Sequence, residues 1–237
     1  MYVLPGSLLL GNQASQPNQS PLFPEFTIDF LRDEILGGKP YFPPERPADK
    51  FEIRDEILPE LEEIIDFWSG QTHRERVYAR LPKEALQAQY QVGAVNILNY
   101  TSGGDGHFAP PYAWIAERGL NHFIEQARAS IAKLDPADHE TRSSREFFQS
   151  VIITCEAVIK WAGRYADYVE ELAGSEADPV RKSELLNLAA ISRHVPAQPA
   201  RTFHEALQLV TFIQFAIQIE DNAQGVCFGR FDQMMYP

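Results

Sequence analysis

Residues 201–222 read RTFHEALQLVTFIQFAIQIEDN, and this stretch predicts a long helix that is apolar on nearly every side. Thr202-x-x-Glu205 has the form of a capping box and marks the start of the helix. Thin polar positions such as Gln208, Gln214 and Gln218 interrupt the apolar faces. Such a helix must be covered on all sides, because exposed apolar surface costs roughly 25 cal/mol per Å2. Either the helices upstream fold around it, or further chain or a partner covers it.

The helices expected directly upstream make residues 113–221 a helical bundle. Amphipathic spacing and helix-start signals mark three of them. They run from Trp114 to Leu134, from a capping box at Ser143-x-x-Glu146 to about Leu172, and from the N-cap and first-turn proline Asp178-Pro179 to near His194. The predicted fold class is therefore mainly α, with few short strands.

The part of the chain before this bundle divides by composition. Residues 1–50 are rich in Pro, Gly, Asn and Gln, which predicts an extended wrapping segment with one short helix near residues 28–36. Helical periodicity covers residues 51–92, with one helix ending at Trp68 and another over residues 72–90. Residues 93–112 contain four glycines and two adjacent prolines, so they predict a Gly-rich structured loop in which a site could lie.

Composition restricts the possible partners. The formal net charge is -12, from 33 acidic and 21 basic residues, and no basic run is long enough to follow a phosphate backbone, so no nucleic-acid partner is expected. The two cysteines, Cys155 and Cys227, form no C-x-x-C or Cys/His cluster, so we expect no disulfide framework, no metal site and a cytoplasmic location. The opening residues lack a basic n-region and a long apolar run, so neither a signal peptide nor a membrane anchor is predicted.

Several stretches resemble the pyruvate formate-lyase-like domain of glycyl radical enzymes, in the branch that contains glycerol and diol dehydratases and choline trimethylamine-lyase. The similar segments are GNQASQ (11–16), FPEF (23–26), EFFQSVIITCEAVIKWAGRYADYVEELA (146–173), ELLNLAAISRHVPAQPARTF (184–203), RTFHEALQL (201–209), Gln214, IEDN (219–222) and GRFDQMMYP (229–237). The resemblance implies that residues 1–237 are a partial pyruvate formate-lyase-like domain. It would be the helical N-terminal part of a ten-stranded α/β barrel, with residues 222–237 as the first barrel segment.

The resemblance also implies a chemistry whose radical carriers are not in this sequence. In the family, an activating enzyme with an iron–sulfur cluster and S-adenosylmethionine installs a glycyl radical, which generates a thiyl radical on a cysteine that attacks the substrate. Neither a Cys-x-Glu motif nor an Arg-Val-x-Gly-Tyr radical site occurs in the 237 residues. Cys227 is rejected as the thiyl carrier, because it precedes Gly229-Arg230 where the family usually has serine. The chain is thus expected to bind no cofactor directly and to be inactive alone. Its expected partners are the remainder of the enzyme or a complementary chain, the activating enzyme and a small-molecule substrate of anaerobic metabolism.

Two residues of the Gly-rich loop are candidates for substrate binding. His107, in SGGDGHF, matches a Gly-His position that in the family contributes to the substrate pocket, where an imidazole can bond a hydroxyl or transfer a proton. The alternative is a loop histidine that bonds nearby carbonyls. Asp105 is the weaker candidate, since an aspartate among glycines also closes turns.

Three residues after the apolar helix complete the candidate set. Gly225 and Cys227 stand where many dehydratase-like relatives carry Ser-x-Ser, whose hydroxyls face the substrate. Their loss removes hydroxyl donors, which argues against a diol or glycerol and leaves room for a larger substrate. Asn222 is expected either to bond the substrate at the same rim or to cap the helix.

Two other classes of function remain to be weighed. A non-catalytic helical scaffold derived from such an enzyme would use the exposed apolar helix to hold a partner. An independent hydrolase or metalloenzyme has little support, because the sequence contains no G-x-S-x-G, no H-E-x-x-H and no P-loop. The neighbouring reading frame would distinguish the first two, since a fragment of a radical enzyme requires the cysteine loop and the glycyl motif nearby.

Overall fold

The computed structural model describes residues 1–14, 21–36, 54–92, 107–135, 138, 141–221 and 225–236, and it divides the chain into two compact units. The first unit comprises Met1–Pro21, Phe108–Glu220 and Val226–Pro237, and the second comprises Leu22–His107 and Asp221–Gly225. In chain order the elements are a π-helical turn Leu31–Leu36, a 3-10 turn Asp55–Ile57, α1 Leu58–Trp68, α2 His73–Tyr78, α3 Lys83–Val92, β1 His107–Phe108, α4 Tyr112–Ile131, α5 Arg142–Ser175, α6 Pro179–His194, α7 Phe203–Asp221, β2 Gly225–Val226 and α8 Phe231–Met235.

The prediction of a mainly α fold with few short strands is confirmed. The described residues contain one sheet, formed by the two-residue strands β1 and β2. In the first unit, the long helix α5 packs against both α4 and α6. In the second unit, α1 packs on the π-helical turn through Leu61, Ile28 and Leu31, all of which are buried.

The aromatic core of the first unit joins α5 to α7. The rings of Trp161 and Tyr165 lie 5.3 Å apart, and both contact Phe212, at 5.4 and 5.9 Å between ring centroids. These edge and tilted arrangements are the favoured geometries of aromatic pairs. Trp161 and Tyr165 of α5 therefore serve packing, whereas Phe147, near the helix start, is 62% exposed.

Helix α7 is covered more completely than its sequence suggests. Leu209, Val210 and Phe212 are at most 1% exposed, so the upstream helices do fold around the central turns. Phe203 and Ile219, at the two ends of the helix, remain 61% and 40% exposed. The upstream helices therefore cover the central turns of α7 but not its two ends.

Within the first unit, side chains of α6 and α7 hydrogen-bond the backbone of the N-terminal segment. The side-chain amide of Gln208 accepts a hydrogen bond from the N–H of Leu10 and donates one to its carbonyl, both at 2.8 Å. Nε2 of His204 lies 2.7 Å from the carbonyl oxygen of Leu8, and Arg181 donates to the carbonyl of Ser7 at 3.0 Å. Backbone N–H and C=O groups need hydrogen-bond partners. The described residues of this segment have no neighbouring strand, so polar side chains supply those partners.

At Gly11, the next residue, the backbone lies very close to the Phe215 side chain of α7. The φ of Gly11 is +124°, and a Cβ there would lie 2.7 Å from Cδ2 of Phe215. Only glycine fits such a contact without displacement of the ring. Asn12, the next residue, donates from its side chain to the carbonyl of Tyr2 at 3.1 Å. The GNQ motif thus folds the N-terminal segment onto α7.

One of the predicted capping boxes is wrong. Helix α5 begins at Arg142, with Thr141 at the N-cap, so Ser143 lies inside the helix. Thr141 makes no side-chain cap, since its Oγ1 donates to the carbonyls of Asp135 and Asp138. The Glu146 carboxylate accepts a hydrogen bond from the Arg142 side chain at 2.9 Å, which is not the bond of a capping box.

The capping box at α7 is half present. The Thr202 hydroxyl accepts from the N–H of Glu205 at 3.1 Å, as predicted. The Glu205 carboxylate, however, accepts from the backbone N–H of Arg201 at 2.6 Å and from its guanidinium at 2.6 Å. By contrast, the Asp178 cap of α6 is confirmed, because its carboxylate accepts from the N–H of Val180 at 3.0 Å, with Pro179 in the first turn.

Two proline residues shift the predicted boundaries in the second unit. The helix that ends at Trp68 begins only at Leu58, because Pro59 occupies its first turn. The stretch expected as one helix over residues 72–90 is two, α2 and α3, separated at Pro82, whose ring cannot continue a helix. Thr72 opens α2 with a complete capping box to Glu75, a signal that the sequence interpretation missed.

Helix α4 contains a break at Gly119, where φ is +69°. The break turns the N–H groups of Leu120 and Asn121 outward, and they donate to the carbonyls of Pro196 and Ala197 at 2.8 and 3.0 Å. The loop between α6 and α7 therefore docks directly on α4. Within the described part of the chain, no helix is both long enough and apolar enough to cross a membrane.

Candidate functional site

The strand pair β1–β2 joins two segments that the sequence predicted to hold pocket residues. His107 belongs to β1 and Gly225 to β2, and the two strands are hydrogen-bonded neighbours although 116 residues, 109–224, separate them in the chain. His107 and Gly225 also belong to the same compact unit. Asp105 and Asn222 lie outside the described residues, as does the side chain of His107.

Cys227 directly follows β2 and is a free, exposed thiol. Gly225 is half-buried. The Cys227 thiol makes no hydrogen bond or ion pair among the described residues. The Cys227 thiol lies near Tyr112, where its charge contributes to raising the pKa of the phenol. Cys227 is thus accessible to solvent and lies near Tyr112.

A hydrogen-bonded chain connects the start of α4 to β2 through α7. The Tyr112 hydroxyl donates to Oε1 of Gln214 at 2.6 Å. Nε2 of the same amide faces the carbonyl oxygen of Val226 at 3.5 Å, the outer limit of a hydrogen bond. Because Oε1 accepts from the tyrosine, the amide can present only its N–H groups to the strand. Gln214 therefore has one defined orientation between two partners.

Burial keeps Tyr112 in its donating form. The residue is 2% exposed. Removal from water raises the pKa of Tyr112 to about 12, and the neighbouring Cys227 acts in the same direction. The phenol therefore stays protonated throughout the physiological range. Its proton is always available to the amide oxygen of Gln214.

The segment after β2 is also fixed by aromatic contacts. The ring of Phe228 lies 5.9 Å from that of Tyr112 and 5.7 Å from that of Phe231, the first residue of α8. Residues 231–235 form the helix α8, and Arg230 bonds the side chain of Gln233 at 3.4 Å.

Sequence interpretation missed both members of the polar chain as site residues. Tyr112 follows Pro110-Pro111 and opens α4, so it was assigned to the end of the loop. In the sequence, Gln214 stands out as a polar interruption of an apolar helix and as a position that resembles the family, with no role of its own indicated. A polar residue on an otherwise apolar helix is itself a signal, because its amide needs partners once it is buried. Neither partner could be identified from sequence, since they lie 102 and 12 positions away.

Metal chemistry finds no support in the described residues, where no group of three or more His, Cys, Asp or Glu side chains is placed to hold an ion. The described residues contribute a paired strand, an exposed thiol and a tyrosine–amide chain.

Comparison with known proteins gives consistent matches along the entire chain. Residues 1–237 match the family described as pyruvate formate lyase-like. The chain is 35% identical to the (2S)-3-sulfopropanediol dehydratase of Klebsiella oxytoca and 34% identical to an isethionate sulfite-lyase of Desulfovibrio desulfuricans. Both alignments cover 100% of this chain and 29% of the relative.

A solved structure shows the same fold. The glycerol-bound B12-independent glycerol dehydratase of Clostridium butyricum superposes with a TM-score of 0.91 at 32% identity, over 100% of this chain and 29% of that one. The chain therefore spans less than a third of the length of the proteins that it matches.

Proposed function

Because this chain belongs to the pyruvate formate lyase-like family of glycyl radical enzymes, we propose that it forms part of the substrate-pocket wall of a radical dehydratase or lyase. The substrate would be a small organic molecule. The thiyl radical supplies hydrogen abstraction, and its carriers, a cysteine and a glycine, belong to polypeptide outside these 237 residues. The residues described here bind and orient the substrate and exclude water. Alone, the chain would be inactive.

The observation that carries this proposal is the pairing of β1 with β2. The pairing supports a shared role for His107 and Gly225, the two positions that resemble pocket residues of the family. Cys227 directly follows β2 and is exposed. We refer to residues 226–228 as the wall segment, since they extend from β2 toward α8.

The proposal assigns roles that differ in chemistry. His107, and beside it Asp105, would hydrogen-bond a polar group of the substrate or accept a proton as the leaving group departs. Gly225 and Cys227 would present a small and weakly polar surface, and Asn222 an amide at the rim. The expected partners are the remainder of the enzyme and a radical-activating protein, and the expected location is the cytoplasm.

Substitution in the complete enzyme tests the proposal. Under anoxia, with the activating enzyme and S-adenosylmethionine, His107→Gln should leave the glycyl EPR signal unchanged and lower kcat/KM by about 10- to 1000-fold. Cys227→Ser should change KM for the substrate by a smaller factor. The half-buried His122 on α4 offers a matched control, and His122→Gln should behave as wild type. Unchanged kinetics in both His107→Gln and Cys227→Ser would refute the pocket role.

The scaffold hypothesis is distinguished by association. If the chain neither binds nor activates the remainder of such an enzyme, a non-catalytic interaction module becomes the better account. The exposed apolar residues at both ends of α7, Phe203 and Ile219, would then be its contact surface.

A further inference from the structure

Gln214 is a half-buried amide on a helix whose neighbouring turns are apolar. Leu209, Val210 and Ile213 beside it are buried in the core of the first unit. A polar side chain in such a position costs free energy unless its groups are paired. Both ends of this amide have partners, the Tyr112 hydroxyl and the Val226 carbonyl. Its placement therefore requires a role that an apolar residue would not fulfil.

We propose that Gln214, oriented by Tyr112, is a positioning residue that sets the place of the wall segment, residues 226–228. The inference rests on the proposed function for the statement that this segment meets the substrate. The short bond of 2.6 Å from Tyr112 fixes which end of the amide faces the strand. The longer contact of 3.5 Å to the Val226 carbonyl then limits how far β2 can move from α7.

Tyr112 supports the same segment through a second, apolar contact. Its ring packs against Phe228 at 5.9 Å between centroids. The last residues of α8, Met234 and Met235, pack against the hydrophobic cluster that contains Tyr112. The wall segment is thus held at Val226 by a polar contact and at Phe228 by an aromatic one. Cys227 lies between these two points, with its thiol exposed.

Another glutamine of the same helix provides a matched control. Gln208 is fully buried and bonds the backbone of Leu10 at both ends of its amide. Gln208→Met removes two hydrogen bonds from α7, as Gln214→Met does, but it acts on residues 7–12 and not on the wall segment. The two variants therefore separate loss of positioning from general loss of stability.

Hydrogen–deuterium exchange of the purified protein, resolved by peptide, measures the effect without any enzymatic assay. Gln214→Met and Tyr112→Phe should each speed exchange over residues 225–230 by about two- to tenfold, the change that loss of one hydrogen bond produces. Exchange over residues 7–12 should stay at the wild-type rate. Gln208→Met should give the reverse pattern.

Gln214→Glu supplies a readout that a merely structural role would not change. A carboxylate still accepts from Tyr112, but it has no proton for the Val226 carbonyl. The protonated carboxyl has one. Protection of residues 225–230, corrected for the intrinsic pH dependence of exchange, should therefore recover in this variant as the pH falls through the carboxyl pKa. The wild-type protein should show no such recovery.

Several results would overturn the inference. The first is an unchanged exchange rate over residues 225–230 in Gln214→Met. The second is that Gln214→Met and Gln208→Met speed exchange equally over residues 225–230 and residues 7–12. If Gln214→Met does not fold, Tyr112→Phe and Gln214→Glu carry the same comparison. In the complete enzyme, Gln214→Met should raise KM more than it lowers kcat. Faster exchange with wild-type kinetics would leave the positioning intact and refute the pocket role of the segment.

Discussion

The side-chain amide of Gln208 pairs with both backbone groups of Leu10, at 2.8 Å each, across 198 positions of sequence. Both residues are buried, so water cannot replace a lost bond. The contact anchors the N-terminal segment to α7. It also explains why a glutamine occupies a fully buried position of an apolar helix.

Gln208→Met should lower the free energy of unfolding by roughly 1–3 kcal/mol per backbone group left unpaired. Urea denaturation followed by circular dichroism measures this change. Gln218, on the same helix, is half-buried, and no partner of its amide is seen among the described residues, so Gln218→Met should change stability by less than about 0.5 kcal/mol. Equal effects of the two substitutions would contradict the role of Gln208 as the anchor of the N-terminal segment.

Gly119→Ala should destabilise the first unit. The residue has a φ of +69°, and a Cβ would lie 2.5 Å from the carbonyl carbon of Gln198 and 2.6 Å from the oxygen of Ala197. Backbone strain and the clash together should cost about 2 kcal/mol or more. Gly163→Ala, inside α5 with open space around it, should instead stabilise by about 0.5–1 kcal/mol. Thermal unfolding of the two variants gives shifts of opposite sign.

Thr72→Ala should weaken the second unit by about 1 kcal/mol, the usual cost of losing an N-cap. The Thr72 hydroxyl accepts from the N–H of Glu75 at 3.1 Å and is buried. Ser143→Ala tests the false box at α5, where no cap is formed, and should lie within about 0.5 kcal/mol of wild type. Chemical denaturation measures the free energy of unfolding of both variants. An equal loss of stability in Ser143→Ala would mean that the start of α5 is misassigned.

Glu205 should make stability depend on pH in the acid range. Hydrogen bonds from the Arg201 side chain lower the pKa of Glu205 below its ordinary value, although burial opposes this, and the Arg201 backbone and His194 add to the lowering. The group therefore stabilises the fold above the unfolded pKa, about 4.3, and the contribution is lost as pH falls through the lower folded pKa.

Glu205→Gln should accordingly have a lower Tm than wild type at pH 7, with the difference shrinking toward pH 3. Scanning calorimetry across this range measures it. The exposed pair of Arg142 and Glu146 supplies the control, since Glu146→Gln should change Tm little at any pH. A Tm difference that stays constant with pH would show that the Glu205 charge is not involved.

Helices were predictable from sequence where their signals are local. Apolar spacing gave all of the long helices, and Asp178-Pro179 gave an exact start, because a cap and a proline act within one turn. Ser143 misled because the helix begins before it, at Arg142, with Thr141 at the N-cap position and no side-chain cap formed. Pro82 was overlooked, although its ring divides the stretch after Thr72 into two helices.

The candidate site was predictable only in part. Its two segments were identified from resemblance, but not their pairing, because a two-residue strand has no periodicity to detect. Tyr112 and Gln214 were missed because their bond depends on how α4 and α7 pack. The roles of Asp105, Asn222 and the His107 side chain stay predictions.

Anoxic EPR spectroscopy with a parallel turnover assay tests the central claim most directly. The 237-residue chain, incubated with an activating enzyme and S-adenosylmethionine, should show no glycyl radical and no turnover. Both should appear when the polypeptide that carries the radical cysteine and glycine is supplied with it. A glycyl signal and turnover from the 237 residues alone would contradict the account.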